Sequence, residues 1–453
     1  MNLPNYFLAD LPPEAALTPG MITEACQTLK KNRAQYLAHR NTASVINALS
    51  ALAADWLKPE NQFRRLALEA GPAELGFSRE TLARGLDAFF GELTTEKLNA
   101  LVVTELGHGS RLDAFCATDH EMRHGRAAWA AGPELLVHVT AGNLPSPALM
   151  SMVLGLLVRS AQFVKCASGT ALLPRLFAHS LRETEPKLAA CLELAIWRGG
   201  NLPLEERLFA EASCVTATGT DETLALIRQR LPAGRRFLGY GHRVSFAFVA
   251  ASVLTGLHLG RVVGRAAADV TAWNQLGCLS PHVIYVEQGG EVDGERFAEL
   301  LAAELAGRET TEPRGATSAE SAAAIASRRG IYEIRAANSA ATRQWASPDS
   351  TAWTVVYEAD PRFQLSCLNR FVYVKPVANL GEALHAADAV REQVSTIGVA
   401  VPEHTMTDVA TTLARWGATR VCPVGRMQEP SLAWHHDGRP ALADLVTWTD
   451  LEL

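Results

Sequence analysis

Residues 135–169 read LLVHVTAGNLPSPALMSMVLGLLVRSAQFVKCASG, and this stretch decides the fold class. The apolar run 135–139 predicts a short buried strand that enters a turn, 148–160 an apolar helix, and 161–169 a strand ending in small residues. The same alternation returns in 212–231, where ASCVTATG precedes the helical segment DETLALIRQRL. Strands that alternate with helices predict an α/β protein with a parallel sheet and helices on both faces.

The flanking segments predict the organisation of the rest of the chain. Apolar residues at helical spacing predict helices in 21–57 and 79–107, and Phe246–Gly260 is interpreted as a buried helix. The stretch 309–323 is polar and predicts a surface loop. The segments that predict later strands are RFVYVKPV at 370–377, STIGVAVPE at 395–403 and LVTWTDLEL at 445–453.

The Gly-rich segment FLGYGHR, residues 237–243, interrupts the alternation and is interpreted as a domain boundary. We therefore expect one domain in 1–240, a second in 241–430 and a β-rich tail in 431–453. The length of 453 residues agrees with this division, because a domain usually takes about 100–200 residues.

Composition excludes several classes of protein. The chain is 48% hydrophobic with a formal net charge of −6, and its positive charge is spread evenly, so we expect no nucleic-acid partner. Its 8 cysteines contain no C-x-x-C pair, which indicates reduced thiols. Residues 1–10 lack a basic segment followed by an apolar run, and the most apolar stretch is too short to span a bilayer. We expect a cytoplasmic protein without a secretory signal or membrane span.

Gly219 and Thr220 stand between a predicted strand and a predicted helix, in VTATGTDETL. The free amides and dipole of a helix N-terminus can bind a phosphate there. An ordinary turn, in which Thr220 or Asp221 caps the helix, explains the same residues. No G-x-G-x-x-G segment follows any predicted strand, so both interpretations stay open.

Cys278 lies in NQLGCLSP, between a predicted helix and the predicted strand 283–286. A thiol at such a junction can face a cleft and act as a nucleophile if its environment favours the thiolate. The alternative is a buried cysteine that packs as a small apolar side chain, which is the usual state of a cysteine inside the cell.

Four segments together resemble the aldehyde dehydrogenase superfamily, and in particular its acyl-CoA reductases of the LuxC type. They occur in the order HVTAGNLPSP, FVKCASG, VTATGTDETL and NQLGCLSP, from about residue 133 onward. The tail residues that share the resemblance are Trp434, Asp437, Gly438 and Trp448. The resemblance implies a Rossmann-like NADP(H)-binding domain in 1–240, an α/β catalytic domain in 241–430 and an oligomerisation tail in 431–453.

The resemblance also implies roles for individual residues. Cys278 matches the family's nucleophile, and Asn143 matches the asparagine whose amide binds the oxyanion of the tetrahedral adduct. Lys165 matches the lysine that contacts the adenosine ribose. Gly219 and Thr220 match the pair that receives the pyrophosphate.

Two departures from the pattern of the hydrolytic relatives carry further expectations. Residues 237–241 contain no carboxylate where those relatives hold the glutamate that activates water. Ser168 stands where NAD-preferring relatives often have a glutamate, which favours NADPH as the cofactor. His242 directly follows residues 237–241. It is interpreted as an acid or a phosphate contact, with a structural histidine as the alternative.

A rival hypothesis rests on His120, Glu121 and His124, which form H-E-x-x-H. On a helix the two imidazoles would share a face and bind zinc, with Glu121 as the base of a metallopeptidase. Gly125 follows at once and no third ligand is evident, so we expect no metal site.

The resemblance predicts NADPH-dependent reduction of a long-chain acyl-CoA, or another acyl thioester, to an aldehyde through a thioacyl-cysteine intermediate. The acyl donor is expected to be CoA or an acyl carrier protein, with an acyl synthetase or transferase as a possible partner. The tail strand predicts pairing with a neighbouring subunit, and hence a homo-oligomer.

Overall fold

The computed structural model describes residues 3–12 and 14–452, with the burial of Leu257 left out. The predictions for Met1, Asn2 and Leu453, at the two ends of the chain, therefore lie outside the described residues. The burial predicted for Leu257 within 246–260 does so too.

The secondary structure alternates over most of the chain. The helices are α1 (Pro19–Asn32), α2 (Thr42–Trp56), α3 (Gln62–Leu75), α4 (Arg79–Glu92), α5 (Thr95–Leu106), α6 (Asp119–Arg123), α7 (Ser146–Leu157), α8 (Leu172–Thr184), α9 (Pro186–Ala189), α10 (Leu202–Glu211), α11 (Asp221–Arg230), α12 (Gly256–Thr271), α13 (Gly294–Thr311), α14 (Ala319–Asn338), α15 (Leu380–Ala386) and α16 (Met406–Trp416). The strands are β1 (Arg126–Ala131), β2 (Leu135–Val139), β3 (Ala161–Cys166), β4 (Leu192–Ile196), β5 (Cys214–Thr218), β6 (Arg236–Tyr240), β7 (Val244–Val249), β8 (Pro281–Glu287), β9 (Thr342–Ala346), β10 (Thr354–Glu358), β11 (Phe371–Val377), β12 (Val394–Ala400), β13 (Arg420–Pro423) and β14 (Thr447–Glu452).

The first sheet has five parallel strands in the order β4-β3-β2-β5-β6. Its strands are apolar on both faces because helices cover both, as in other parallel sheets. Leu136 and Val164 belong to the larger hydrophobic cluster on one face, and Leu135 and Phe163 to the cluster on the other. The predicted α/β fold is confirmed.

The second sheet has seven strands in the order β13-β12-β7-β8-β11-β10-β9. All neighbours are parallel except β9, which pairs antiparallel with β10 at the edge. The first sheet ends at Tyr240 and the second begins at Val244, so only three residues join them. We propose that the domain boundary lies in this link.

The prediction of a buried helix over Phe246–Gly260 was wrong. Residues 244–249 form β7, and the helix α12 begins only at Gly256. Every residue of β7 is buried, and a strand that is covered on both faces loses the alternation that distinguishes it from a buried helix. The prediction that the Gly-rich segment 237–243 interrupts the alternation was also wrong in part, because Arg236–Tyr240 forms the edge strand β6.

The predicted surface loop 309–323 is shorter than expected. Its first residues end α13 and its last ones begin α14, which leaves 312–318 as the connection. This connection is not wholly exposed, because Glu312 and Arg314 are buried.

The predicted tail strand is β14, and it pairs antiparallel with β1 of the same chain, from Arg126–Glu452 to Ala131–Thr447. Its residues are exposed, as is Trp129 opposite them. The tail therefore has a pairing partner within its own subunit, and a homo-oligomer stays a proposal. None of the described helices is long and apolar enough to cross a bilayer.

Candidate active site

Asn143 and the loop that carries Cys278 are attached to different sheets and are in contact with each other. Asn143 lies in the turn after β2, and Cys278 lies in the loop before β8. The Asn143 Nδ2 atom donates a hydrogen bond of 3.0 Å to the carbonyl oxygen of Leu276. Asn143 is exposed and Cys278 is half-buried as a whole residue. The structure therefore places Asn143 against the loop of Cys278, two residues before the thiol.

The Cys278 thiol is neutral in this environment. Burial and, to a smaller extent, the Asp437 carboxylate raise its pKa to about 12, although Arg243 and Arg420 oppose the rise. A thiolate is the nucleophilic form of cysteine. Attack by Cys278 therefore requires proton removal or a change in this environment when ligands bind.

Hydrogen bonds attach the Cys278 loop to the second sheet. The Ser245 hydroxyl, on β7, donates to the Cys278 carbonyl oxygen at 2.7 Å and accepts from the Thr396 amide of β12 at 3.1 Å. Ser245 and Thr396 are fully buried. The loop is thus fastened where two parallel strands run side by side.

The backbone before Cys278 is strained. Trp273, Asn274 and Gln275 all have left-handed φ values, between 50° and 63°, and such a conformation costs about 1–2 kcal/mol for each residue other than glycine. Asn274 accepts a bond of 3.1 Å from the buried Arg370 guanidinium. Gln275 donates 2.8 Å bonds to the carbonyl oxygens of Pro281 and Phe371. These buried polar contacts hold the loop in its strained form.

Gly277 leaves little room for a side chain because two neighbours approach it closely. A Cβ atom there would lie 2.9 Å from Gln428 Oε1 and 3.2 Å from Leu144 Cδ1. Gln428 also bonds to Ser280. The Cys278 loop is therefore packed between the turn that carries Asn143 and the segment after β13.

Lys165 and Ser168 lie at the carboxyl end of β3, in the first sheet. Lys165 is buried, and burial lowers its pKa, opposed by the nearby Glu205 carboxylate. Within the described residues its ammonium has no hydrogen-bond or ion-pair partner, while Ser168 is exposed in the following turn. A buried cation without a partner fits an anionic ligand.

A small pocket opens beside this strand end, at the carboxyl ends of β2 and β5. Its lining includes Val139, Thr140, Leu144, Ser151 and Thr218. In doubly wound sheets, ligands bind in the crevice outside the carboxyl ends of the strands.

Gly219 and Thr220 form the turn that the capping interpretation describes. The Thr220 hydroxyl accepts from the Thr223 amide at 3.3 Å, and the Gly219 amide donates to the Tyr240 carbonyl at 3.2 Å. Asp221 and Glu222 occupy the first turn of α11. A pyrophosphate at this helix start would meet two carboxylates, so this role stays a proposal.

His242 lies in the three-residue link between the sheets and is exposed. Its amide donates to Asp221 Oδ1 at 3.2 Å. In the part of the chain that the structure describes, its ring makes no hydrogen bond, so the ring is available to a ligand.

The H-E-x-x-H segment does not form a zinc-binding helix. The helix α6 ends at Arg123, and Glu121 accepts from Arg111 Nη2 at 2.8 Å and from the Thr118 amide at 2.7 Å. These hydrogen bonds lower the pKa of Glu121 to about 2. A carboxylate held in this way is a poor general base, and the described residues contain no cluster of three or more His, Cys, Asp or Glu side chains that could hold a metal ion.

The sequence of the whole chain was compared with known families. The profile of the family described as Acyl-CoA reductase (LuxC) matches residues 37–448. The chain belongs to this family. As a LuxC-family member, it is an aldehyde-forming reductase of acyl thioesters.

Two curated relatives of this LuxC-family chain are named long-chain acyl-protein thioester reductase. The protein of Aliivibrio fischeri is 22% identical over 91% of this chain and 82% of its own length. That of Photorhabdus laumondii is 21% identical over 90% of this chain and 82% of its own.

Solved structures show the aldehyde dehydrogenase fold for the LuxC-family chain. An NAD-dependent benzaldehyde dehydrogenase from Corynebacterium glutamicum has a TM-score of 0.70 at 14% identity, covering 99% of this chain and 94% of that one. A bifunctional proline utilization A protein has a TM-score of 0.74 at 16% identity, covering 98% of this chain and 46% of that one. The predicted family and fold are confirmed.

Sequence reasoning missed several residues around the LuxC-family nucleophile. Arg370, Ser245 and Gln428 are distant from Cys278 in sequence and carry no local motif. Asp437 also lies far from Cys278 in sequence, yet its carboxylate is buried against Arg243 and raises the pKa of the thiol. The only earlier signal was the shared Trp-x-x-Asp-Gly pattern of the tail.

Proposed function

We propose that the chain reduces a long-chain acyl-CoA, or another long-chain acyl thioester, to the aldehyde with NADPH through a thioacyl group on Cys278. The observation that carries the proposal is the hydrogen bond from Asn143 to Leu276, which puts an amide donor beside the nucleophile loop. Family membership supplies the reaction class.

In the first half-reaction the Cys278 sulfur attacks the thioester carbonyl carbon, and the thiol proton leaves. The carbonyl electron pair moves to oxygen, where the Asn143 amide stabilises the charge. The carbon–sulfur bond to CoA then breaks, and CoA departs as a thiolate that takes a proton. The products are CoA and the thioacyl enzyme.

In the second half-reaction the thioacyl carbon is reduced. NADPH, when bound, supplies a hydride and leaves as NADP⁺. The carbon keeps its bond to Cys278 as a thiohemiacetal, whose oxygen faces Asn143. This group collapses to aldehyde as the carbon–sulfur bond breaks, and the sulfur recovers a proton. Covalent catalysis divides one difficult reduction into two easier steps.

The residues of the first sheet fit NADPH. Lys165 offers a buried ammonium without a partner to an anionic group, and Ser168 offers a hydroxyl without negative charge. We assign the 2′-phosphate of the adenosine ribose to these two residues. We assign the pyrophosphate to Gly219 and Thr220, and to His242 either a phosphate contact or a proton-donating role.

Strand β6 carries no carboxylate that could activate water on the face of the first sheet that is turned toward the Cys278 loop. Leu238 belongs to the hydrophobic cluster that holds Leu144 and Leu276, whereas Phe237 packs on the opposite face. A thioacyl enzyme at such a site reacts slowly with water, because general-base activation contributes about 10²–10⁴-fold. The intermediate therefore survives until hydride transfer.

The names of the relatives indicate the acyl donor, and the free cysteines indicate the cellular compartment. The relatives' names point to a protein-bound acyl group, so we propose that an acyl synthetase or transferase presents the substrate, and that CoA thioesters serve as well. All 8 cysteines are free, which suits the cytoplasm. The exposed β1–β14 ribbon suits a homo-oligomer.

The test is a stoichiometric assay of the purified protein with a series of aliphatic and aromatic acyl-CoA thioesters. We expect one aldehyde and one CoA released for each NADPH oxidised, with the highest kcat/KM for long aliphatic chains. Release of free fatty acid in place of aldehyde, or no NADPH oxidation with any thioester, would overturn the proposal.

A further inference from the structure

A column of stacked side chains joins the two sheets beside Cys278. The Arg420 guanidinium lies 5.6 Å from the centre of the Trp434 ring. Trp434 stacks on His436 at 4.9 Å, and His436 stacks on Tyr240 at 4.7 Å with an angle of 16° between the planes. Arg439 covers the other face of the column, 4.5 Å from the Tyr240 ring centre.

The ends of the column belong to different sheets. Tyr240 is the last residue of β6, the edge strand of the first sheet, and Arg420 is the first residue of β13, the edge strand of the second. Arg439 also donates to the Gly239 carbonyl oxygen at 3.0 Å, and Arg420 to that of Met427 at 2.7 Å. The column therefore spans the gap between two edges that no hydrogen-bonded strand pair bridges in the described residues.

The same segment fixes the surroundings of the nucleophile. Asp437, directly after His436, has a left-handed φ of 53°. Its carboxylate bonds to Arg243 at 3.2 Å and accepts from Ser395 of β12 at 3.3 Å. Burial lowers the pKa of His436, so the ring in the middle of the column is neutral and can stack closely.

We propose that the column of Tyr240, Trp434 and His436 sets the distance between the cofactor-binding sheet and Cys278, so that these three are positioning residues for hydride transfer. The inference rests on the proposed function, because it assigns the two half-reactions to different parts of the fold. Acylation needs Cys278 and Asn143, and the hydrogen bond from Asn143 to Leu276 holds that amide on the nucleophile loop independently of the column. Hydride transfer needs the first sheet held in register with the thioacyl carbon, and a displacement of about 1 Å can cost about 10²-fold in rate.

The experiment measures the two half-reactions separately in single turnovers. Mass spectrometry follows acylation of Cys278 by a long-chain acyl-CoA, and stopped flow follows NADPH oxidation by the acylated enzyme. We expect His436→Ala and Tyr240→Leu to acylate within about threefold of the wild-type rate and to oxidise NADPH about 10- to 100-fold more slowly. His436→Phe and Tyr240→Phe keep a stacked ring and should retain most of the wild-type rate.

The controls separate positioning from general damage. Phe115→Ala removes an aromatic pair with Trp129 that is remote from the column, and it should leave both half-reactions unchanged. With NADPH deuterated at the transferred position, the isotope effect on the overall rate should increase in His436→Ala, since hydride transfer becomes the slow step.

The outcomes distinguish the inference from the proposed function. A wild-type protein that is not acylated, or whose acyl group NADPH does not discharge, overturns the proposed function. The inference alone is overturned if the wild type completes both half-reactions and the variants His436→Ala and Tyr240→Leu are slowed equally in both of them, or in neither. If His436→Ala or Tyr240→Leu does not fold, the phenylalanine variant of the same residue is measured in its place. A slowed acylation with an unchanged isotope effect in that variant also overturns the inference.

Discussion

The side chain of Asn143 donates to the carbonyl oxygen of Leu276, two residues before Cys278. A primary amide has two N–H donors. One tethers the nucleophile loop, and the other makes no hydrogen bond to any residue that the structure describes. We propose that Asn143 holds the loop and stabilises the oxyanion at the same time.

Replacing Asn143 by Ala is expected to slow acylation of Cys278 by about 10²–10³-fold, the usual loss for one oxyanion donor. Asn143→Asp, which keeps the shape and replaces the N–H donors by charge, should be at least as slow. Asn99→Ala, on the exposed surface of α5, serves as the control. Single-turnover acylation at saturating acyl-CoA is the measurement, and a change of less than threefold would contradict the assignment.

The pH dependence of Cys278 alkylation tests its electrostatic surroundings. Because burial and Asp437 raise the pKa of the thiol to about 12, the thiolate fraction should rise about tenfold for each pH unit between about pH 7 and about pH 9. Asp437→Asn removes a negative charge, which lowers the pKa of the thiol and speeds alkylation throughout this range.

Iodoacetamide labelling of the Cys278 peptide, quantified by mass spectrometry, gives these rates despite the other seven thiols. Asp408→Asn, an exposed carboxylate on α16, is the matched control. A wild-type rate that reaches a plateau by about pH 8 would show an activated thiol with a pKa below the ordinary cysteine value of about 8.5, and would contradict the account.

Leu238 and Phe237 are adjacent in β6 and point to opposite faces, so they provide a paired test of water exclusion. Leu238→Glu places a carboxylate on the face of Leu144 and Leu276. It should speed hydrolysis of the thioacyl enzyme by up to about 10²–10⁴-fold. Phe237→Glu points to the other face and should leave hydrolysis unchanged. Release of labelled fatty acid without NADPH is the readout. Equal rates in the two variants would contradict the orientation of β6.

Ser168 is predicted to favour NADPH. Ser168→Glu places a negative charge at the exposed turn after Lys165, and it should lower kcat/KM for NADPH far more than for NADH. Loss of a charged hydrogen bond costs about 1.5–3 kcal/mol. Ser168→Gln, similar in size and neutral, controls for bulk. A wild-type preference for NADH, or a ratio unchanged in the glutamate variant, would show that another residue selects the cofactor.

Local sequence signals predicted the first sheet well. The strand–turn–helix–strand of residues 135–166 and the helix α11 after Thr220 follow from apolar runs, small residues and a capping threonine. The residues of β7 carry a comparable apolar run, yet they were predicted as a helix. Both faces of β7 are buried, and such a run has the same composition in either conformation.

The site could be predicted only in part, because much of it depends on contacts between distant segments. Cys278 and Asn143 stand in recognisable motifs, and the structure places Asn143 against the loop that carries Cys278. Arg370 holds Asn274 from 96 positions away. His436 gains its role by stacking on Tyr240, a contact that no local pattern of the tail indicates.

The most direct test of the central claim is the mass of the Cys278 peptide after incubation with a long-chain acyl-CoA, before and after addition of NADPH. We predict that the wild-type peptide gains one acyl group and loses it on addition of NADPH, with release of the aldehyde. Cys278→Ala should gain none. An alanine variant that still becomes acylated, or a wild-type acyl group that NADPH leaves in place, would contradict the account.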